Sequence, residues 1–216
     1  MATVTIVKGE RPVLDRTWMN LPDGATHRVA VHVLHDLPHL VVESAFGLED
    51  GLWGVLARGG FADATRAIQG RSPARVRLVT DAPLDTLAAS NRVGHLVAKT
   101  VTNAVVNRWG EGPDTAAGVR WRLRSGSPLL EPAAETARAP VPAASRNGAE
   151  PRIGGRAAAD AYRHRVAELM AALDDATIDQ AIRGVRHLYY AWAWLPVGEA
   201  LRLDWPLSES FWRSLG

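Results

Sequence analysis

Apolar and polar residues alternate from Thr3 to Val7, a period-two pattern that predicts a strand. A turn signal at Leu21-Pro22-Asp23-Gly24 leads into a second alternating run, His27 to Leu34. In that run Val29, Val31 and Val33 share one face, with Arg28, Ala30 and His32 on the other. The spacing then becomes helical. Leu37, Leu40, Val41 and Phe46 make a stripe to bury, and Gly47 fits a C-cap. Because proline is tolerated in the first turn of a helix, Pro38 places the helix start close by, with Asp36 as N-cap. The segment GLEDGLWGVLARGGF reads as a glycine-punctuated turn, a short helix and a loop.

Farther along, Arg75 to Val79 alternates as a third strand, and a long helix is predicted from about Leu84 to Trp109. Val119, Trp121 and Leu123 alternate with Arg120, Arg122 and Arg124, which predicts an edge strand with one arginine face. Residues 128–155 are rich in proline, alanine, glycine and serine and read as a linker or insertion. Arg156 to Leu173 and Ile178 to Trp194 follow as amphipathic helices joined by Asp174-Asp175-Ala176-Thr177, and a tail from Leu195 carries Trp205, Phe211 and Trp212. The sum is an α+β chain: a small antiparallel sheet, a long helix and a C-terminal helical hairpin. Its expected divisions are an α+β domain at 1–127, the linker at 128–155, and a helical segment at 156–216 packing on the first domain.

Composition narrows the function classes. The chain has 216 residues, enough for one well-buried core, and no apolar run approaches a membrane span. The N-terminus lacks a basic region followed by an apolar one, so secretion is not signalled and a cytoplasmic setting is expected. The absence of cysteine removes disulfides, thiolate metal sites and cysteine nucleophiles. A net charge of +2 gives no reason to expect nucleic acid as a partner. Lys8 and Lys99 are the only lysines, which leaves few candidates for Schiff-base chemistry.

Candidate chemistry concentrates in VHVLHDLPHLVVE, where His32, His35 and His39 lie within eight residues, Asp36 stands between them and Glu43 follows. The HDLPH spacing invites comparison with the two-histidine helical zinc motif, but a helix starting at Asp36 would leave His35 outside it. A metal could still be held at the strand-to-helix junction by His32, His35, His39 and Glu43. Proton transfer needs no metal: His35, Asp36, His39 and Glu43 are the candidate catalytic residues, with Asp36 or Glu43 orienting an imidazole. Read structurally, Asp36 caps the helix and the histidines cover its surface.

Beyond the cluster, Asp50 is a candidate cap of the short helix and Trp53 a core residue, and both would line a pocket with His39 and Glu43 if that helix folds back. His32, Asp50, Trp53, Arg75, Arg120 and Arg122 are the candidate substrate-binding residues, the arginines as an anion site or simply a solvated face. His95, four residues before Lys99, reads as an ordinary polar-face residue. The run YYAWAWLP, with Tyr189, Tyr190, Trp192 and Trp194, suggests core or a partner interface. No P-loop, dinucleotide fingerprint or nucleophile elbow is present.

The stretch HDLPHLVVESAFGLEDGLWG, His35 to Gly54, resembles a pattern in small bacterial proteins with a histidine–aspartate pair, a further histidine and a GL-x-DG-x-WG segment. In size and general character the chain also resembles the small subunits that form aziridine rings in azinomycin-type biosynthesis. That resemblance implies a partner protein, a substrate borne on an amino-group carrier protein, and ring closure with expulsion of sulfate. The expectation is therefore an actinobacterial enzyme of antibiotic or other natural-product biosynthesis acting on a small polar substrate. It needs no cofactor, and its partner protein or second copy would dock through the aromatic C-terminal helices. The alternatives are a transition-metal hydrolase or oxygenase and a non-enzymatic interaction protein.

Overall fold

The computed structural model describes residues 1–11, 15–29, 33–58, 89–107, 112–125 and 156–216. Within them the chain is α+β, as expected: one four-stranded antiparallel sheet and seven helices. The strands are β1 (Ala2–Val7), β2 (Arg16–Asn20), β3 (Thr26–Val29) and β4 (Ala200–Trp205), in the order β3-β2-β1-β4. β1 alternates as its sequence requires, with Ala2, Val4 and Ile6 buried. The turn between β2 and β3 closes where Pro22-Asp23-Gly24 predicts, Gly24 taking a positive φ of 87°. Two strands were not anticipated. β2 is a short, mixed run, and β4 lies in the tail, where it pairs with β1 from Ala2↔Trp205 to Val7↔Ala200. The C-terminal segment thus completes the sheet as well as packing helices on the first part of the chain.

The helices are α1 (Val33–Ala45), α2 (Leu52–Ala57), α3 (Ala89–Val105), α4 (Ala116–Arg124), α5 (Arg156–Ala172), α6 (Asp175–Trp194) and α7 (Glu209–Arg213). α1 is central, packing on α6 and α3 and contacting α2. α5 and α6 are consecutive, with Asp174 capping α6 through the Thr177 N–H, but they pack on different partners, α5 on α3 and α6 on α1. The predicted edge strand around Val119 is instead α4. Thr115 caps it by accepting from the Gly118 N–H, and Ala116, Val119 and Leu123 form its helical buried face. The strand at Arg75–Val79 and the linker at 128–155 lie outside the described residues.

α1 begins three residues before Asp36, which corrects the expected start. Pro38 is inside the helix, where it supplies no N–H to the carbonyl four residues back, that of Leu34. Tyr189 of α6 fills the gap: its hydroxyl donates to the Leu34 carbonyl at 2.9 Å. Trp53 of α2 donates its Nε1–H to the Asp36 carbonyl at 2.9 Å in the same turn. Two distant side chains thus hold a turn that proline would otherwise open. At the other end the Gly47 prediction holds. The residue has φ 61°, and the Leu48 N–H reaches the Glu43 carbonyl at 2.8 Å, closing a Schellman motif.

Candidate functional site

Because the helix starts at Val33, His35 and His39 are both helical and one turn apart, the placement that Pro38 was expected to prevent. Their rings stack at 5.7 Å between centroids, 20° from parallel. Each turns its Nδ1 toward a carboxylate. His35 Nδ1 is 2.7 Å from Asp36 Oδ1, and His39 Nδ1 is 3.5 Å from Glu43 Oε1 and 3.4 Å from the Thr102 hydroxyl of α3. Asp36 is not an N-cap; it sits in the first turn with its carboxylate on the neighbouring imidazole.

Glu43 is completely buried and caps a different helix. Its Oε1 accepts from the Leu52 N–H at 2.8 Å, while Oε2 accepts from Trp53 at 2.8 Å and more distantly from Gly54 at 3.4 Å. These are the free N–H groups of the first turn of α2, where a helix dipole also favours negative charge. Burial nevertheless pushes the carboxyl up to about 8, with the three N–H donors pulling down and Asp36 adding to the rise. Gly51 makes the approach physically accessible: a Cβ there would lie 2.2 Å from Glu43 Cδ. Gly54 packs similarly against the Glu49 carbonyl. Gly51 therefore lets the first turn of α2 close on the Glu43 carboxyl group, and Gly54 lets it pack on Glu49.

The outer pair has a different environment. The His35 side chain is 40% exposed while the Asp36 side chain is 7% exposed, so a nearly buried carboxylate holds an imidazole at the surface. With Nδ1 donating to Asp36, Nε2 is the nitrogen left to accept or deliver a proton.

His95 of α3, which the sequence offered as an ordinary polar residue, belongs to the same corner. Burial, with His39 and Lys99 nearby, pushes its imidazole down to about 4 against an opposing pull from Asp36. Its Nδ1 is buried with no hydrogen-bond partner among the described residues. Only the pairing of α3 with α1 reveals this; the usable signal in the chain was Gly94, whose missing side chain lets Asp50 close to contact.

The remaining candidates divide. Trp53 is buried core, as read, and its indole also braces α1. Asp50 does not cap α2: the N-cap is Gly51, and Asp50 pairs with Arg58 at 3.2 Å. The arginine face does not form. Arg120 binds Asp175 and the Met170 and Leu173 carbonyls at the end of α5. Arg122 is buried, donating to the Ala104 carbonyl at 2.7 Å and the Pro113 carbonyl at 3.1 Å. Both are structural ties rather than anion ligands. His32 and Arg75 lie outside the described residues. Of the aromatic run, Trp192 is core, Tyr189 braces α1, and Tyr190 and Trp194 are 68% and 83% exposed.

Both oxygens of Glu43 already accept from backbone N–H groups of α2. Among the described residues no group of three histidine, aspartate or glutamate side chains is arranged to hold a metal ion. None of the described helices is long and apolar enough to cross a membrane. Compared with protein-family models, curated proteins and solved structures, the chain matches none.

Proposed function

We propose that this chain is a metal-free proton-transfer enzyme of natural-product biosynthesis, acting in the cytoplasm on a small polar substrate. His35 Nε2 is the acid/base atom and Asp36 orients it, while His39 and His95 pack beneath the pair. The observation that carries this reading is the 2.7 Å contact between a nearly buried carboxylate and a half-exposed imidazole. Such a carboxylate fixes the tautomer and stabilises the imidazolium that forms when the base takes a proton.

The reaction we assign is intramolecular ring closure on a carrier-borne amino sulfate ester. The amine nitrogen attacks the carbon bearing the sulfate, the C–O bond breaks, sulfate leaves with the electron pair, and the amine proton passes to His35 Nε2. Arg120 and Arg122 take no part, being tied elsewhere. The test is sulfate release from a β-amino alkyl sulfate by the full chain. Release that persists in EDTA and disappears in folded His35→Ala supports the proposal; release unchanged in that variant overturns it.

A second reading, a transition-metal site, draws on one observation: both imidazoles are backed by carboxylates at Nδ1, the arrangement that orients metal-bound histidines. Stoichiometric metal lost on His35→Ala would favour it. A third, a non-enzymatic interaction protein, draws on the exposure of Tyr190 and Trp194. It requires that Trp194→Ala abolish complex formation while His35→Ala does not.

A further inference from the structure

A groove of about 380 Å³ lies over β4, the edge strand, and the segment that follows it, and reaches Thr3 of the neighbouring β1. Thr3, Arg202, Asp204, Leu207, Ser208 and Phe211 are among its lining residues. The register sets Thr3 directly opposite Asp204, so both share a face with Arg202, two residues earlier on β4.

Among the described residues the two charges on this face, Arg202 and Asp204, stand without an ion-pair partner of their own, although Arg213 and Glu209 close by pair with each other at 3.3 Å. Residues two apart on a strand place their Cα atoms about 6.5 Å apart, so the groove presents a cation and an anion side by side. The Ser208 and Ser210 hydroxyls lie 2.9 Å apart. In such a pair one hydroxyl donates to the other, whose own proton remains to donate to an anion. Leu207 and Phe211 supply an apolar wall, the Phe211 ring held edge-on by Trp212 at 5.0 Å.

We propose that this groove binds a small zwitterion with an apolar side chain, an α-amino acid in chemical class, its carboxylate at Arg202 and the serine hydroxyls and its ammonium at Asp204. A ligand of single charge would desolvate one of the two protein charges without replacing its water, whereas a zwitterion satisfies both. The volume lies at the small end of ligand pockets, which suits a molecule of this size. The groove draws on β1, β4 and the 207–211 segment and not on α1 or α3, so it stands apart from the histidine corner.

Calorimetric titration of the full chain with L-leucine, L-leucine amide and 4-methylpentanoate tests this directly. L-leucine is expected to bind with Kd on the order of 1 mM, and the two single-charge analogues about tenfold more weakly or worse. Arg202→Gln and Asp204→Asn should each weaken L-leucine about tenfold, and His35→Ala should leave it unchanged. Equal binding of 4-methylpentanoate would make this a plain anion site and overturn the assignment. So would failure of L-leucine to saturate by about 50 mM, far above the expected Kd, or unchanged binding in a natively folded Arg202→Gln.

Discussion

His39 with Glu43, and His35 with Asp36, are two imidazole–carboxylate pairs on one helix, one turn apart. The inner pair is sealed: Glu43 is fully buried, its oxygens taken by three N–H groups of α2, and His39 is wedged between it and Thr102. The outer pair reaches the surface through His35 while Asp36 stays behind it. The same residue types therefore serve different ends, and the difference is set by what each carboxylate faces. Backbone N–H groups make Glu43 a fastener between two helices. Asp36 instead faces the His35 imidazole, the group that the proposed function has it orient.

This contrast is broken most forcefully at Glu43. Glu43→Ala leaves three α2 N–H groups buried without an acceptor and opens a cavity, and should cost about 3–5 kcal/mol in urea unfolding. Asp36→Asn keeps an acceptor for His35 and should cost less than about 1 kcal/mol by the same measurement. Comparable losses at the two positions would erase the distinction between fastener and orienting group.

The pH profile sharpens it next. A carboxyl raised from 4.5 to about 8 on folding keeps its proton in the folded state where the unfolded chain has lost it. Stability from Glu43 is then fully present below pH 4.5 and is lost as pH rises through 8. His95 works oppositely: lowered to about 4, it costs stability as pH falls from 6.5 toward 4. Urea unfolding across this range should show the alkaline loss flattened in Glu43→Gln and the acid loss flattened in His95→Gln.

A smaller effect probes the brace around Pro38. Tyr189→Phe removes the donor to the Leu34 carbonyl and should cost about 1 kcal/mol. In a Pro38→Ala background the restored Ala N–H can serve that carbonyl, so the penalty should largely vanish, giving a double-mutant coupling of about 0.5–1 kcal/mol. An additive pair would show that Tyr189 does not compensate for the proline.

That brace also explains where the sequence misled. Local rules placed β1, the turn at Gly24, α2, the Gly47 cap and the buried stripe of α1, because each depends on neighbouring residues. The start of α1 was misplaced because the partner that makes Pro38 tolerable is Tyr189, far along the chain. Asp36 failed as a cap because α1 begins before it, and Asp50 failed because Glu43, nine residues before Leu52, had taken that role. The arginine alternation at 120–124 fits both a strand and a helix over so few residues, and Thr115 decided for the helix. The cluster itself was visible as His35, Asp36, His39 and Glu43; its division into inner and outer pairs, and the arrival of His95, required the tertiary packing of α1 with α2 and α3.

The most direct test is the tautomer of His35, read from the imidazole ¹⁵N shifts in two-dimensional NMR at a pH where the ring is neutral. If Asp36 orients a reactive imidazole, His35 carries its proton on Nδ1, Nε2 shows the shift of an unprotonated nitrogen, and Asp36→Asn disturbs that preference. A neutral His35 protonated at Nε2, unchanged in Asp36→Asn, would contradict the assignment of this pair as the reactive edge of the molecule.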